Sequence, residues 1–307
     1  MEKRKKPLVG VSGCLLGEEI RYDGKDKKNT HVIDDLFNCF EYVSFCPEVS
    51  MGLGIPRPPI ELVEKNDEIH LVDVEDHNLD HTSLAKDTFN EMAPHFKDVS
   101  GLIFTKGSPS CGHDPVKYQN EAGELGLTKG LWADHLEKCY PSIPKIDSGR
   151  LNNGHLKETF LSQVLCYFNF NLLEKSPKFL IKFHEQHKFY ILQYGSSHLK
   201  ELGQTCAGIT PQNFKQKYLD YSEILFQKTF KSPITTKKRV NVLEHMAGFF
   251  KKEISQKDKK DLQKSILAFK SKKISFEKVL ILLRILTKSY GQPYLKNQKI
   301  FSYYLKN

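Results

Sequence analysis

Apolar and polar positions change rhythm about halfway along the chain. In the first half, short apolar runs alternate with longer mixed segments. Leu8 to Val11 reads as a short buried strand, and Glu41 to Phe45 and Val99 to Phe104 read as further strands. Between them, Val32 to Phe37 forms an apolar helix-like turn, and Leu84, Phe89, Met92 and Phe96 recur at roughly helical spacing behind the capping side chains of Asp80 to Ser83. A polar hairpin is expected over Ile60 to Val74, turning at Asn66-Asp67, and a last helix over Gly130 to Cys139. The stretch Cys46 to Pro59 is dense in Gly and Pro and is expected to be loop throughout. Strands alternating with helices predict an α/β Rossmann-like domain with a parallel sheet.

Beyond Asp147 to Arg150 the period lengthens. Helical patterns run over about 156 to 174, 178 to 200, 211 to 230, 236 to 254, 258 to 271 and 275 to 289, broken by Ser176-Pro177, Gly203, Thr210-Pro211, Ser232-Pro233 and Gly291 to Pro293. The second half is therefore expected to be all-α, and the chain divides into 1–152 and 153–307. No run of about 18 apolar residues occurs, and Met1 to Pro7 leads straight into a strand, which reads as a cytoplasmic protein without a membrane segment.

The net charge of +9 hides a split. Residues 1–154 hold 18 Lys+Arg against 26 Asp+Glu, a net of −8; residues 155–307 hold the other 28 against 11, a net of +17. So basic a half points to a polyanionic partner, because Lys and Arg gain affinity for phosphates by releasing counterions. The alternative is a solvated, lysine-rich helical surface.

Seven cysteines are too many and too scattered to ignore. Cys14, Cys46 and Cys111 each stand at or just beyond the carboxyl end of a strand-like run, the edge at which α/β sheets collect ligands. Their wide spacing, with no Cys-x-x-Cys pair, disfavours a zinc ribbon or a thioredoxin-type site. Three thiolates holding an iron-sulfur cluster, with one iron left open as a soft Lewis acid, fit better. Three buried structural cysteines are the competing reading.

Five motifs in order, Cys14 to Gly17, Arg21 to Gly24, Cys46 to Glu48, Gly52 to Glu61 and Lys106 to Gly112, resemble the thiouracil desulfidase family over about residues 7–145. The resemblance implies a 4Fe-4S cluster on Cys14, Cys46 and Cys111, whose fourth iron takes the sulfur of a thiocarbonyl substrate. It favours Glu48 for activating water or relaying a proton and Ser108 for protonating or orienting the substrate, with Ser110 a weaker candidate. A structural role in a Pro-rich loop and a turn is the alternative for Glu48 and Ser108. Arg21, Asp23 and Arg57 stand equally between holding a phosphate or base edge and forming a turn (Asp23-Gly24) or a pair (Arg57 with Glu61). Cys39, Cys139, Cys166 and Cys206 lie outside the motifs and are expected in the core.

The second half, over about 160–305, resembles the helical domain often appended to such desulfidases, through His184 to Phe189, Tyr194 to Gly203, Asn241 to Lys252 and Tyr294 to Gln298. It departs from that pattern at Ile274 to Leu286, where the family shows a longer apolar, proline-bearing segment. His184 and His187 could share a metal, though a solvated or hydrogen-bonded pair is the simpler expectation because no third ligand is evident. Aromatic residues interleaved with lysine, as in Phe249 to Lys252, suit stacked bases and phosphates, although a bundle of this size needs most of its aromatics for its core. The resemblance implies tRNA 4-thiouridine as substrate, yielding uridine and sulfide. Small thiolated pyrimidines are the alternative substrates, and a non-catalytic RNA-binding protein with a structural cluster is the alternative of another class.

Overall fold

The computed structural model describes residues 6–35, 39–250 and 254–305. By internal contacts the chain forms two compact units, Met1–Phe168 and Asn169–Asn307. The division falls later than the change in sequence rhythm at 152/153, because the helix that opens the second pattern packs by its first part on the sheet of the first unit.

That sheet has the strand order β2-β1-β5-β8, all parallel, from β1 (Leu8–Ser12), β2 (Glu41–Phe45), β5 (Gly101–Phe104) and β8 (Lys145–Asp147). Side chains of successive strand residues leave by opposite faces. Leu102 and Phe104 accordingly join Phe45 and the helices α2 (Thr82–Met92) and α3 (Leu131–Cys139) on one side. Val9, Val11, Ile103 and Ile146 pack on the other side with Phe160 and Val164 of α4 (Gly154–Asn171). Gly101 permits this contact, since a Cβ there would stand 2.6 Å from Val164 Cγ2. The Rossmann-like layering expected from the sequence is present.

A second, mixed sheet was not anticipated. Its order is β4-β3-β6-β7, from β3 (Ile60–Lys65), β4 (Glu68–Asp73), β6 (Val116–Gln119) and β7 (Leu125–Thr128). The β3–β4 hairpin turns at Asn66-Asp67 as expected, both residues having positive φ, as a type I′ turn requires. One correction concerns 46–59, which is not loop throughout: Pro47–Ser50 forms a short helix, α1. Proline at its first position presets the helical φ, and Ser50 Oγ donates to the Cys46 carbonyl at 3.0 Å. The apolar turn near Val32 is a π-turn over His31–Asp35; Phe37 lies outside the described residues.

The second unit is helical: α5 (Pro177–Leu192), α6 (Ser196–Ala207), α7 (Phe214–Glu223), α8 (Thr236–Ala247), α9 (Gln256–Lys270), α10 (Phe276–Ser289), α11 (Pro293–Lys296) and α12 (Ile300–Tyr304). The pattern expected over 178–200 breaks at Gly195, whose φ of 146° opens a turn between α5 and α6. A π-helical stretch, Ile224–Thr229, prolongs α7. Lys251 and Lys252 lie outside the described residues. No helix among the described residues is long and apolar enough to cross a membrane.

Candidate cluster site

In the parallel sheet the chain leaves β1 for β2 on one side and later enters β5 on the other. The strand order thus reverses at β1, and in such sheets the crevice beyond the carboxyl ends of the strands is where ligands sit. A cavity of about 250 Å³ opens there. Cys14 follows β1, Cys46 follows β2, and Cys111 follows β5, and all three line it.

Local chemistry fixes each thiol. Cys14 sits in a 3-10 turn, Gly13–Leu16, closed by Gly17 in the left-handed region. Its Sγ is 3.0 Å from Thr105 Oγ1, and the Thr105 amide donates to Ser12 Oγ, tying the ends of β1 and β5 together. Cys46 is the residue at which β2 passes into α1. Cys111 belongs to the loop Gly107–Gly112, which in turn caps α3. The first amides of a helix lack partners within it; here those of Leu131 and Trp132 donate to the carbonyls of Pro109 and Ser110, and the Gly130 amide donates to Gly112. The contact is so close that a Cβ on Gly130 would lie 2.5 Å from the Ser110 carbonyl oxygen. Beyond the loop, the buried Asp147 carboxylate at the end of β8 accepts from the amides of His113 and Asp114.

Burial pushes all three thiols up in pKa, Cys111 furthest, and the neighbouring thiols and Glu48 add to the effect on Cys111. Three thiolates crowded in a cavity repel one another and are compatible when a cationic body stands among them. Among the described residues no set of three His, Cys, Asp or Glu side chains converges as a site for a single ion. The thiols share the walls of a cavity rather than meeting at a point, and this donor set suits a polynuclear iron-sulfur body, for which thiolates are the usual ligands.

The polar groups form a second arrangement against the same cavity. Arg57, nearly buried, donates from Nε (3.0 Å) and Nη2 (2.6 Å) to Glu48 Oε2, and from Nη1 to the carbonyls of Ile20 and Gly54. Ser110, fully buried, donates to the other oxygen, Glu48 Oε1. Ser108 Oγ accepts from the Cys111 amide at 3.0 Å and lies 3.1 Å from Ser110 Oγ. Ser108 and Glu48 line the cavity, as do Arg21 and Arg57. Asp23 does not: it pairs with Arg21 at 3.3 Å and accepts from the Lys25 amide in a turn closed by Gly24. Arg57 pairs with Glu48 and not with Glu61, whose carboxylate meets His77 at 2.8 Å.

Sequence reasoning overlooked Ser12, Thr105, Lys27 and Lys106, which line the cavity too. Ser12 and Thr105 were findable, because each lies within two residues of a strand end that leads to a thiol. Of the four remaining cysteines, Cys166 and Cys206 are buried and Cys39 half-buried, but Cys139 is exposed. It ends α3 beyond the buried stripe of Trp132, Ala133 and Leu136. In the second unit, His187 donates from or accepts at both ring nitrogens, Nδ1 against the Phe183 carbonyl and Nε2 against the Tyr303 hydroxyl, each at 2.7 Å, and His184 Nδ1 meets the Tyr221 hydroxyl. Each of the two is hydrogen-bonded to other residues, and His187 is buried rather than solvated.

Comparison with known proteins matches each half of the chain to a family. Residues 9–148 match the family model described as 2-thiouracil desulfurase. The N-terminal half of this chain belongs to that family. Residues 188–304 match a family described as a protein of unknown function, DUF1722. A solved structure, the 4Fe-4S-dependent thiouracil desulfidase TudS, is similar at 27% identity over 50% of this chain and 97% of its own, with a TM-score of 0.40. None of the curated proteins matches the chain.

Proposed function

We propose that this desulfurase-family chain removes sulfur from 4-thiouridine in tRNA, giving uridine and hydrogen sulfide, with a 4Fe-4S cluster held by Cys14, Cys46 and Cys111. The observation that carries the reading is the delivery of three thiols by three adjacent strands to one cavity. When bound, such a cluster with three protein ligands supplies one open iron, a soft Lewis acid suited to sulfur. The chain's own groups do the rest. Replacing C=S by C=O needs water at the ring carbon and protons moved to and from the substrate. Glu48, with Oε2 fixed by Arg57, presents a carboxylate on the cavity wall to accept a proton from water. Ser108, with its oxygen oriented by the Cys111 amide, presents a hydroxyl to the substrate. Arg21 and Lys27 on the same wall suit a phosphate attached to the substrate.

The helical half, 153–307 in the sequence reading, is the proposed tRNA-binding part, and its +17 charge supports that assignment. A cytoplasmic setting, where thiols stay reduced, suits seven free cysteines. Free thiolated pyrimidines are the second reading, favoured by the 2-thiouracil in the description of the matching family. Anaerobic reconstitution with iron and sulfide, then assay on thiolated tRNA and on free 2-thiouracil, separates the two. Sulfide release from tRNA that is abolished in Cys111→Ala supports the proposal; release from free base alone favours the second reading, and activity that survives loss of the cluster defeats both.

A further inference from the structure

The hydroxyl of Ser110 is fully buried, is absent from the cavity wall, and is nonetheless placed between two groups that line it. Its Oγ contacts Glu48 Oε1 on one side and Ser108 Oγ, at 3.1 Å, on the other. A hydroxyl has a single proton to give. Glu48 accepts at both oxygens, at Oε2 from two N–H groups of the Arg57 guanidinium and at Oε1 from Ser110, so the one Ser110 proton is committed to Glu48 and the contact with Ser108 is a donation from Ser108 to Ser110. The Cys111 amide donates to Ser108 as well, so the Ser108 oxygen has a fixed orientation and its proton a fixed direction. Glu48 is immobilised at the far end, since Arg57 holds Oε2 by two N–H groups. The result is one directed chain, Ser108 to Ser110 to Glu48, anchored at both ends.

We propose that Ser110 is a positioning residue that couples Ser108 to Glu48, so that the two work as one proton-carrying unit. The inference rests on the reading of Ser108 and Glu48 given above. When water adds to the ring carbon, one of its O–H bonds breaks and the proton passes to Glu48. The Ser110 and Ser108 hydroxyls then turn about their C–O bonds. Glu48 gives its proton to Ser110, Ser110 gives its own to Ser108, and Ser108 gives its own to the substrate. Each serine ends with the one proton it began with, Glu48 returns to the carboxylate, and the net change is one proton moved from water to substrate. No electron is transferred in this sequence.

The test is a double-mutant cycle in the full chain, using Ser108→Ala, Ser110→Ala and both together, each reconstituted anaerobically and assayed on thiolated tRNA and free 2-thiouracil. Iron content and cluster absorbance are expected to match the unmodified protein in all three. Ser110→Ala is expected to lower kcat by about 100-fold, in the range of a lost proton-transfer group, with KM little changed. The double variant is expected to lose no more than the worse single one, since coupled groups are not additive. Losses that multiply, or a Ser110→Ala enzyme with unchanged kcat, would overturn the coupling while leaving Ser108 and Glu48 in place. Unchanged kcat in Ser108→Ala removes the reading beneath it and the coupling with it. Should Ser110→Ala lose iron, Ser110→Thr decides: iron and activity regained together uphold the proposal, whereas iron regained without activity, or lost in both variants, makes Ser110 a residue that only seats the loop.

Discussion

Arg57 gives three nitrogens to fixed acceptors and is itself nearly sealed from water, so its removal strands the partly buried Glu48 carboxylate. Breaking such a pair from one side costs about 3 kcal/mol. Arg57→Ala is therefore expected to lower the urea midpoint of the metal-free protein and to abolish turnover. Arg57→Lys should fold better yet stay slow, because an ammonium cannot reproduce the guanidinium fork whose two N–H groups converge on one oxygen. In the second unit, His187 is held neutral: burial brings its pKa down to about 3, and His184 is brought down to about 4 by the same cause. The unfolded chain takes up these protons below about pH 6.5, so stability is complete above that value and falls as pH drops toward the folded pKa. Between roughly pH 7.5 and 5.5, His187 alone contributes about 1 kcal/mol to this loss. His187→Gln is expected to flatten the slope, as followed by urea unfolding at the two pH values.

Among the elements, the contact of α3 with the loop Gly107–Gly112 is the most demanding, because it is backbone against backbone. Gly130→Ala forces one of them aside, at about 1–3 kcal/mol. Helix content should be retained in circular dichroism while iron per chain after reconstitution falls, since the displaced loop carries Cys111. The strands that lead to the thiols were legible from sequence because each is a short strand-like run followed by a cysteine, at once after β2, two residues on after β1, and through the Gly107–Gly112 loop after β5. Of the second sheet, only the β3–β4 hairpin was. The other two strands, β6 and β7, are four residues each, mixed in polarity, with Leu125 and Leu127 turned out to solvent at 67% exposure, against the usual apolar-in pattern. Helix α1 was hidden in the same way, by a composition that ordinarily marks loop. Pairings escaped as well: nothing in the spacing tells Arg57 to choose Glu48, nine residues back, over Glu61, four ahead, and only the folded loop 54–57 decides it.

At the scale of the whole molecule the sequence carries a charge split whose partner is still a proposal. Residues 256–289, spanning α9 and α10, hold 10 Lys+Arg against 3 Asp+Glu, a net of +7 within the +17 of the second half. If this surface meets phosphates, log K for tRNA falls with log salt by roughly 0.7 to 0.9 for each one neutralised. Charge reversal at Lys260 and Lys264, both exposed on α9, is expected to reduce that slope by about 2 without altering cluster loading. A slope near zero in the unmodified protein would leave the helical half without a polyanionic partner.

The order of strands in the first sheet also bears on how the protein is made. β1 and β2 pair directly, and the Cys14 and Cys46 that follow them are synthesised well before Cys111, which follows β5 on the opposite side of β1. During synthesis there is thus an interval in which two of the thiols have been made without their third. A nascent chain in that interval can be oxidised to a disulfide or capture a stray thiophilic ion, and either event would close the site before it is complete. Delayed emergence of β5, as at a slowly translated stretch, is therefore expected to lower the iron content of protein made in air relative to protein made anaerobically, a difference that iron analysis of the two preparations checks.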